Sequence, residues 1–370
     1  MKHISILVKP ASALCNLRCK YCFYADVTSL REVRSYGKMK HETAQKMIEN
    51  IFRDLNDGDE LTIAFQGGEP TLAGLPYFQF IVDCVNEQTK AVEVHYAIQT
   101  NGTIITERWC EFFKKNNFLV GLSIDGTPTY HDLNRLDPRG RGTFHRVLLT
   151  KKLFDQYGIE YNVLCVLTEP LSYHAKEVFD FINQQSFKFV QFIPCLDDLE
   201  ATERNEYGLT PQGFYRFYKA FLPLWLEALK KGNCVSIKLF DDVINLLAVG
   251  RVTACGMLGN CQVQYVIEGD GSVYPCDFYA LDEFRLGYIQ EMGLREMFMS
   301  KVAKNFLCSR PISALPEKCQ TCPFARMCRG GCKRMKDAVY VDEKSNFCGY
   351  QRFLTDFIPE IDGILQAIAS

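Results

Sequence analysis

The run Cys15-Asn16-Leu17-Arg18-Cys19-Lys20-Tyr21-Cys22 sets three thiols at C-x3-C-x2-C spacing. Three thiolates on one short loop can hold three irons of a [4Fe–4S] cluster and leave the fourth open, whereas clusters that only carry electrons usually have four cysteine ligands. An open iron can bind a substrate or cofactor directly. Zinc also uses grouped cysteines, but three with no nearby fourth ligand fit a structural zinc site poorly. A second constellation fills the C-terminal third: Cys255, Cys261, Cys276, then Cys319-x2-Cys322-x5-Cys328-x3-Cys332, and Cys348. Those eight cysteines make two four-thiolate sets, for which spacing alone permits either clusters or two zinc ions.

These eleven positions belong to a chain of 370 residues with 17 cysteines, 42 basic and 44 acidic residues, for a net charge of −2. A chain of this length does not need disulfides to build a core, and an odd cysteine count would leave one thiol over. The balanced charge argues against a protein that binds nucleic acid through its phosphates. The apolar run Ile4 to Val8 is too short for a secretory core, and no stretch is apolar enough for a membrane span. A reducing cytoplasm, with the cysteines on metal, is the expected setting.

The elements that must position the cysteines alternate. Strand-like runs fall at residues 4–8, 61–66, 93–99, 119–125, 160–167 and 188–193, several apolar at nearly every position, as strands covered on both faces are. Helical periodicity separates them at residues 42–55, 75–85, 107–115, 144–157 and 175–184. Alternation of this kind predicts parallel β/α units with right-handed crossovers, and six units predict a partial (β/α)6 TIM-like barrel. The first cysteine loop then lies at the carboxyl end of the first strand, the face where such barrels do chemistry. Residues 214–229 read as an amphipathic helix kinked at Pro223. After about residue 240 the alternation stops and Cys, Gly and Pro become dense. The expected division is 1–235 for the barrel and 236–370 for a cysteine-rich domain with a C-terminal helix.

C-x3-C-x-Y-C after an N-terminal strand resembles the signature of radical S-adenosylmethionine (SAM) enzymes. Gln66-Gly67-Gly68-Glu69-Pro70, after the next strand, is similar to that family's GGEP motif. The later cysteines resemble the SPASM domain, which holds two auxiliary [4Fe–4S] clusters. The full chain is most similar to the anaerobic sulfatase-maturating enzymes, through Lys9-Pro10-Ala11-Ser12, residues 64–74, Gln99-Thr100-Asn101-Gly102-Thr103 and Tyr274-Pro275-Cys276-Asp277-Phe278-Tyr279.

The resemblance implies three [4Fe–4S] clusters and SAM as cofactors. Cys15, Cys19 and Cys22 would bind the radical-generating cluster. Cys255, Cys261, Cys276 and Cys332 would bind one auxiliary cluster, and Cys319, Cys322, Cys328 and Cys348 the other. Local order alone would instead group Cys319, Cys322, Cys328 and Cys332. The resemblance places Tyr21 and Gly68 against SAM, Ser123 and Arg135 at its ribose or carboxylate, and Leu196 near its adenine. Gly67 and Gly68 have no side chain to keep their backbone from its amino group, and Glu69 could reach that group as an acceptor. One electron would cleave SAM to a 5′-deoxyadenosyl radical, which takes hydrogen from Cβ of a sulfatase cysteine or serine in a Cys/Ser-x-Pro-x-Arg segment. Loss of a second electron and a proton then gives Cα-formylglycine, through a thioaldehyde when the target is cysteine. Asp277, directly after Cys276, matches the family's general base. A reducing donor such as ferredoxin or flavodoxin is implied, and no membrane or nucleic acid. The competing expectation is a SPASM enzyme that crosslinks, epimerises or forms thioethers in a ribosomal peptide. Many of those carry a leader-binding domain, for which Cys15 is expected to leave no room.

Overall fold

The computed structural model describes residues 2–308 and 311–369. The expected strands form as β1 (His3–Val8), β2 (Glu60–Phe65), β3 (Glu93–Thr100), β4 (Leu119–Ser123), β5 (Tyr161–Leu167) and β6 (Phe189–Pro194). The helices between them are α1 (His41–Arg53), α2 (Leu75–Asn86), α3 (Glu107–Lys115), α4 (Phe144–Tyr157) and α5 (Ala175–Gln184). The longest helix, α6 (Pro211–Lys230), runs on through Pro223. Thr210 caps its first turn by accepting from the Gly213 amide, and Pro211 stands where a missing N–H costs nothing. Among the described residues, no helix is long and apolar enough to cross a membrane.

The chain divides into two compact units. The first comprises Met1–Ser123, Arg135–Tyr161 and Gln262–Cys308. Its parallel core is β1–β2–β3–β4, with Val8 opposite Phe65, Phe65 opposite Ile98, and Thr100 opposite Leu122. Ile6, Val8, Leu61, Ile63, Phe65, Val120 and Leu122 are fully buried, so a one-residue slip in register would turn this apolar set away from the core. On the far side of β1 the short strand Val266–Ile267 pairs in parallel, and Ser272–Tyr274 and Gly287–Tyr288 extend the sheet antiparallel. These late segments therefore return to the edge of the N-terminal strand, which brings residue 277 near residue 9.

The second unit comprises Ile124–Asn134, Asn162–Cys261 and Ser309–Ser370. Here β5 and β6 run parallel, Val163 opposite Val190, and β6 pairs in parallel with Ser236–Ile237. An aromatic core lies under α6, where Phe192, Phe217 and Phe221 meet edge-on or stacked at 4.8–5.4 Å between ring centres. The helix Gly349–Phe357 adds Phe353, which stacks on Phe240 at 5.9 Å. The periodicity of residues 214–229 is thus core packing, as large interlocked aromatics in such geometry imply.

Candidate active site

In the first unit the chemistry-bearing residues follow directly on the carboxyl ends of parallel strands: Lys9 after β1, Gly67 and Gly68 after β2, Asn101 after β3, and Ser123 at the end of β4. This is the end where parallel β/α folds collect their ligands. The two signature loops are bonded to one another. The Gly68 amide donates to Ser12 O at 2.8 Å and the Glu69 amide to Leu14 O at 2.8 Å. A Cβ on Gly68 would stand 2.1 Å from Leu14 O, so only glycine lets these backbones meet. Gly67 has φ +132°, a conformation that side chains oppose.

The segment after β3 ties both loops together. Asn101 Nδ2 donates to Asn16 Oδ1 at 2.9 Å and to Cys15 Sγ at 3.9 Å, and Asn16 donates to Thr103 Oγ1 at 2.9 Å. Glu69 is 1% exposed. Its carboxylate accepts from Thr71 N at 3.1 Å, from the Thr71 hydroxyl at 2.5 Å, from the Thr100 hydroxyl at 2.8 Å and from Asn101 N at 2.7 Å. Burial pushes its pKa up, while those four donors favour the charged form. The structure thus uses Glu69 as the clamp between the glycine loop and β3. Replacing Glu69 by Gln turns an amide N–H2 towards these donors. That change is expected to lower stability by about 2 kcal/mol, read from thermal unfolding of the full chain.

The cysteine loop is set from its other side by a short antiparallel pairing, Cys19 opposite Arg135 and Arg18 opposite Leu136. Arg135 is buried, and its guanidinium carbon lies 5.7 Å from the Tyr21 ring centre. Three residues expected at the cofactor, Tyr21, Arg135 and Gly68, thus all border the loop of Cys15, Cys19 and Cys22. Burial pushes the Cys15 thiol up to about 11, partly offset by the Leu17 amide that donates to it. Leu196 is buried in the second unit, two residues past β6.

Asp277 opens a short 3-10 turn after Ser272–Tyr274. Its Oδ1 lies 2.6 Å from Lys9 Nζ, and the Lys9 side chain is fully buried. Sequence reasoning missed this partner, because a single lysine just past a strand reads as a solvated charge. Behind it, Lys9 Nζ sits 3.6 Å over the Tyr24 ring centre. The Tyr24 hydroxyl donates to Glu268, whose carboxylate also accepts from Ser12 Oγ at 3.0 Å and pairs with Arg31 at 2.9 Å.

Six of the second unit's cysteines fall into two groups. A small pocket is lined by Cys319, Cys322, Cys328 and Cys348, together with Phe324, Leu354 and other largely apolar groups. Burial pushes the thiols of Cys319, Cys328 and Cys348 each up to about 11, with further upward contributions from neighbouring thiols of the same four. Neutral thiols round an apolar hollow are a donor set that a cationic iron–sulfur core would convert to thiolates. Cys332 does not line this pocket. Its neighbours are Cys261, whose thiol it helps to raise after burial, and Gly256, where a Cβ would fall 2.8 Å from the Cys332 Cβ. The parting of Cys328 from Cys332 has a local cause: Arg329, Gly330 and Gly331 take φ of 43°, 79° and 66° in succession and reverse the chain. Tyr340 holds that reversal, since a Cβ on Gly331 would meet its ring at 1.8 Å. Cys276 lies in the first unit. Among the described residues, no three His, Cys, Asp or Glu side chains surround a single-ion site. Of the six cysteines without a motif, Cys84, Cys110, Cys165 and Cys195 are buried and Cys234 and Cys308 exposed.

Residues 10–182 match the radical SAM superfamily, and residues 255–323 an iron-sulfur cluster-binding domain, SPASM. Cysteine-type anaerobic sulfatase-maturating enzymes of Clostridium perfringens (strain ATCC 13124) and Clostridium novyi (strain NT) are 42% and 40% identical to the chain. The alignments cover 100% of this chain in both cases, and 100% and 99% of those proteins. The solved structure of native anSMEcpe with bound AdoMet and Cp18Cys peptide superposes with a TM-score of 0.89 at 39% identity, covering 99% of each chain. The chain belongs to the anaerobic sulfatase-maturating enzymes, within the radical SAM superfamily.

Proposed function

We propose that this protein oxidises Cβ of a cysteine in a Cys-x-Pro-x-Arg segment of a sulfatase to Cα-formylglycine, using SAM and three [4Fe–4S] clusters. The observation that carries this reading is the convergence, at one end of a parallel sheet, of the three-cysteine loop with the glycine loop bonded to it. Whole-length identity to relatives named as cysteine-type supports cysteine over serine as the target.

In this reading Cys15, Cys19 and Cys22 hold the first cluster, and residues 1–235 form the radical-generating part. When bound, the cluster and SAM supply one-electron chemistry that removes a hydrogen atom from the substrate carbon. The chain's own residues orient the cofactor and exclude water. Gly67 and Gly68 give backbone access to it, Tyr21, Ser123, Arg135 and Leu196 border it, and Glu69 fixes the glycine loop. Asp277 takes the proton lost in the second half of the oxidation, and water then hydrolyses the resulting thioaldehyde to the aldehyde with release of hydrogen sulfide.

In residues 236–370, the pocket lining supports Cys319, Cys322, Cys328 and Cys348 as one auxiliary ligand set. The proximity of Cys261, Cys332 and Gly256 supports the other, Cys255, Cys261 and Cys332, with Cys276 added from the family pattern. A strong cytoplasmic reductant such as ferredoxin or flavodoxin would supply the electrons.

The test is anaerobic. The reconstituted enzyme receives SAM, reductant and a peptide containing Cys-x-Pro-x-Arg, with a Ser-x-Pro-x-Arg peptide in a parallel sample. The cysteine peptide is expected to show the mass loss of thiol-to-aldehyde conversion, faster than the serine peptide reacts. Two unchanged peptides beside accumulated 5′-deoxyadenosine would overturn the assignment and point to a different peptide maturase.

A further inference from the structure

We propose that Lys9 is a positioning residue for the oxidation, acting through Asp277. The inference rests on the reading of Asp277 as the proton acceptor. Lys9 is the first residue beyond β1, its amide donates to Ile267 O at 2.8 Å, and its side chain is fully buried. Its ammonium has two close neighbours, Asp277 Oδ1 at 2.6 Å and the face of Tyr24 at 3.6 Å.

The acids and bases of this cluster sort into two pairs. Glu268 is taken by Arg31, Ser12 and the Tyr24 hydroxyl, so its charge is met without Lys9. Asp277 is what remains for Lys9. A buried ion pair contributes little to net stability compared with apolar groups of the same shape, but removing one partner strands a charge in the interior. The pair is therefore poorly explained as a stability device. It is also asymmetric: Lys9 is fully buried whereas the Asp277 side chain is 11% exposed, so the carboxylate is the less enclosed member of the pair. Lys9 is anchored at its base by the sheet and at its head by Tyr24, which stacks cation against ring. A carboxylate on a short turn is thereby referenced to β1 and to the loop that follows it. General bases lose effectiveness when their geometry loosens by a fraction of an ångström.

The experiment compares wild type, Lys9→Met, Asp277→Asn and the double variant as full-length reconstituted enzymes, with the cysteine peptide and SAM. The first readout is formylglycine made per 5′-deoxyadenosine released. Lys9→Met is expected to lower this ratio about tenfold to a hundredfold while 5′-deoxyadenosine still forms. In the Asp277→Asn background, Lys9→Met is expected to change the ratio no further, as two residues acting as one unit require. The second readout needs no turnover: thermal unfolding of the full chain, in which Lys9→Met lowers the midpoint and added Asp277→Asn recovers part of the loss. A wild-type ratio in Lys9→Met, or an equal further fall in the Asp277→Asn background, overturns the proposal. A normal ratio in Asp277→Asn alone would instead remove the base assignment. Should Lys9→Met not fold, Lys9→Gln keeps a polar head in the same slot and is expected to show the same fall.

Discussion

Asp277→Asn is expected to cut formylglycine formation by roughly a hundredfold to a thousandfold, the scale of a lost general base. SAM cleavage to 5′-deoxyadenosine should continue near the wild-type rate, because the cysteine loop and the glycine loop are built without residue 277. The substitution keeps side-chain size and removes the charge that faces Lys9 at 2.6 Å. Liquid chromatography of both products from one anaerobic reaction checks this. Parallel loss of both products would show that residue 277 supports the fold of the site rather than the proton transfer.

Gly68→Ala is expected to disrupt the cysteine loop directly. Its Cβ would meet Leu14 O at 2.1 Å and Leu14 C at 2.6 Å. Both are backbone atoms one residue before Cys15, so relief requires the cysteine loop itself to move. The cost is expected to be about 3 kcal/mol in unfolding free energy, with SAM binding lost in calorimetric titration. Gly363→Ala is the control. Gly363 lies in the helix Ile361–Ala369, and an added Cβ there meets nothing within 4 Å. It should stabilise slightly, by about 0.5–1 kcal/mol, from helix propensity, and leave SAM binding unchanged. Unimpaired binding in Gly68→Ala would mean that the glycine loop does not border the cofactor.

The six parallel strands were legible as short β-rich runs set between helical periods; β5 is buried at nearly every position from Val163 to Leu167, whereas the other five alternate buried with part-exposed positions. The short strands after residue 260 were not, since two or three residues carry no period. They matter nonetheless, because Val266–Ile267 pairs with β1 and so returns Asp277 to Lys9. Both halves of that ion pair stood in the sequence, but 268 positions of chain hide the pairing until the sheet closes it. Glu69 was legible as a site residue by its place in the glycine motif, yet its role as a clamp depends on Thr100 and Asn101 from the next strand.

The cysteines divide in the same way. Spacing marked the eleven positions, but sequence order would put Cys332 with Cys328. The reversal through Arg329, Gly330 and Gly331 separates them, and Arg329 at φ 43° gives no compositional warning of it. Cys348 then closes the pocket from the N-cap of the helix Gly349–Phe357, where its sulfur also accepts from the Gln351 amide at 3.3 Å. The pocket is thus lined by three cysteines from one segment and one from another.

Eleven of the 17 cysteines are proposed here to hold three clusters. The most direct test is the iron content of the anaerobically reconstituted wild-type chain, with all three thiols of the first loop changed to alanine in a companion sample. Three [4Fe–4S] clusters require about twelve irons per chain, and the companion about eight. A wild-type content near four would contradict the account, because it removes both auxiliary sets and the pocket of Cys319, Cys322, Cys328 and Cys348 with them.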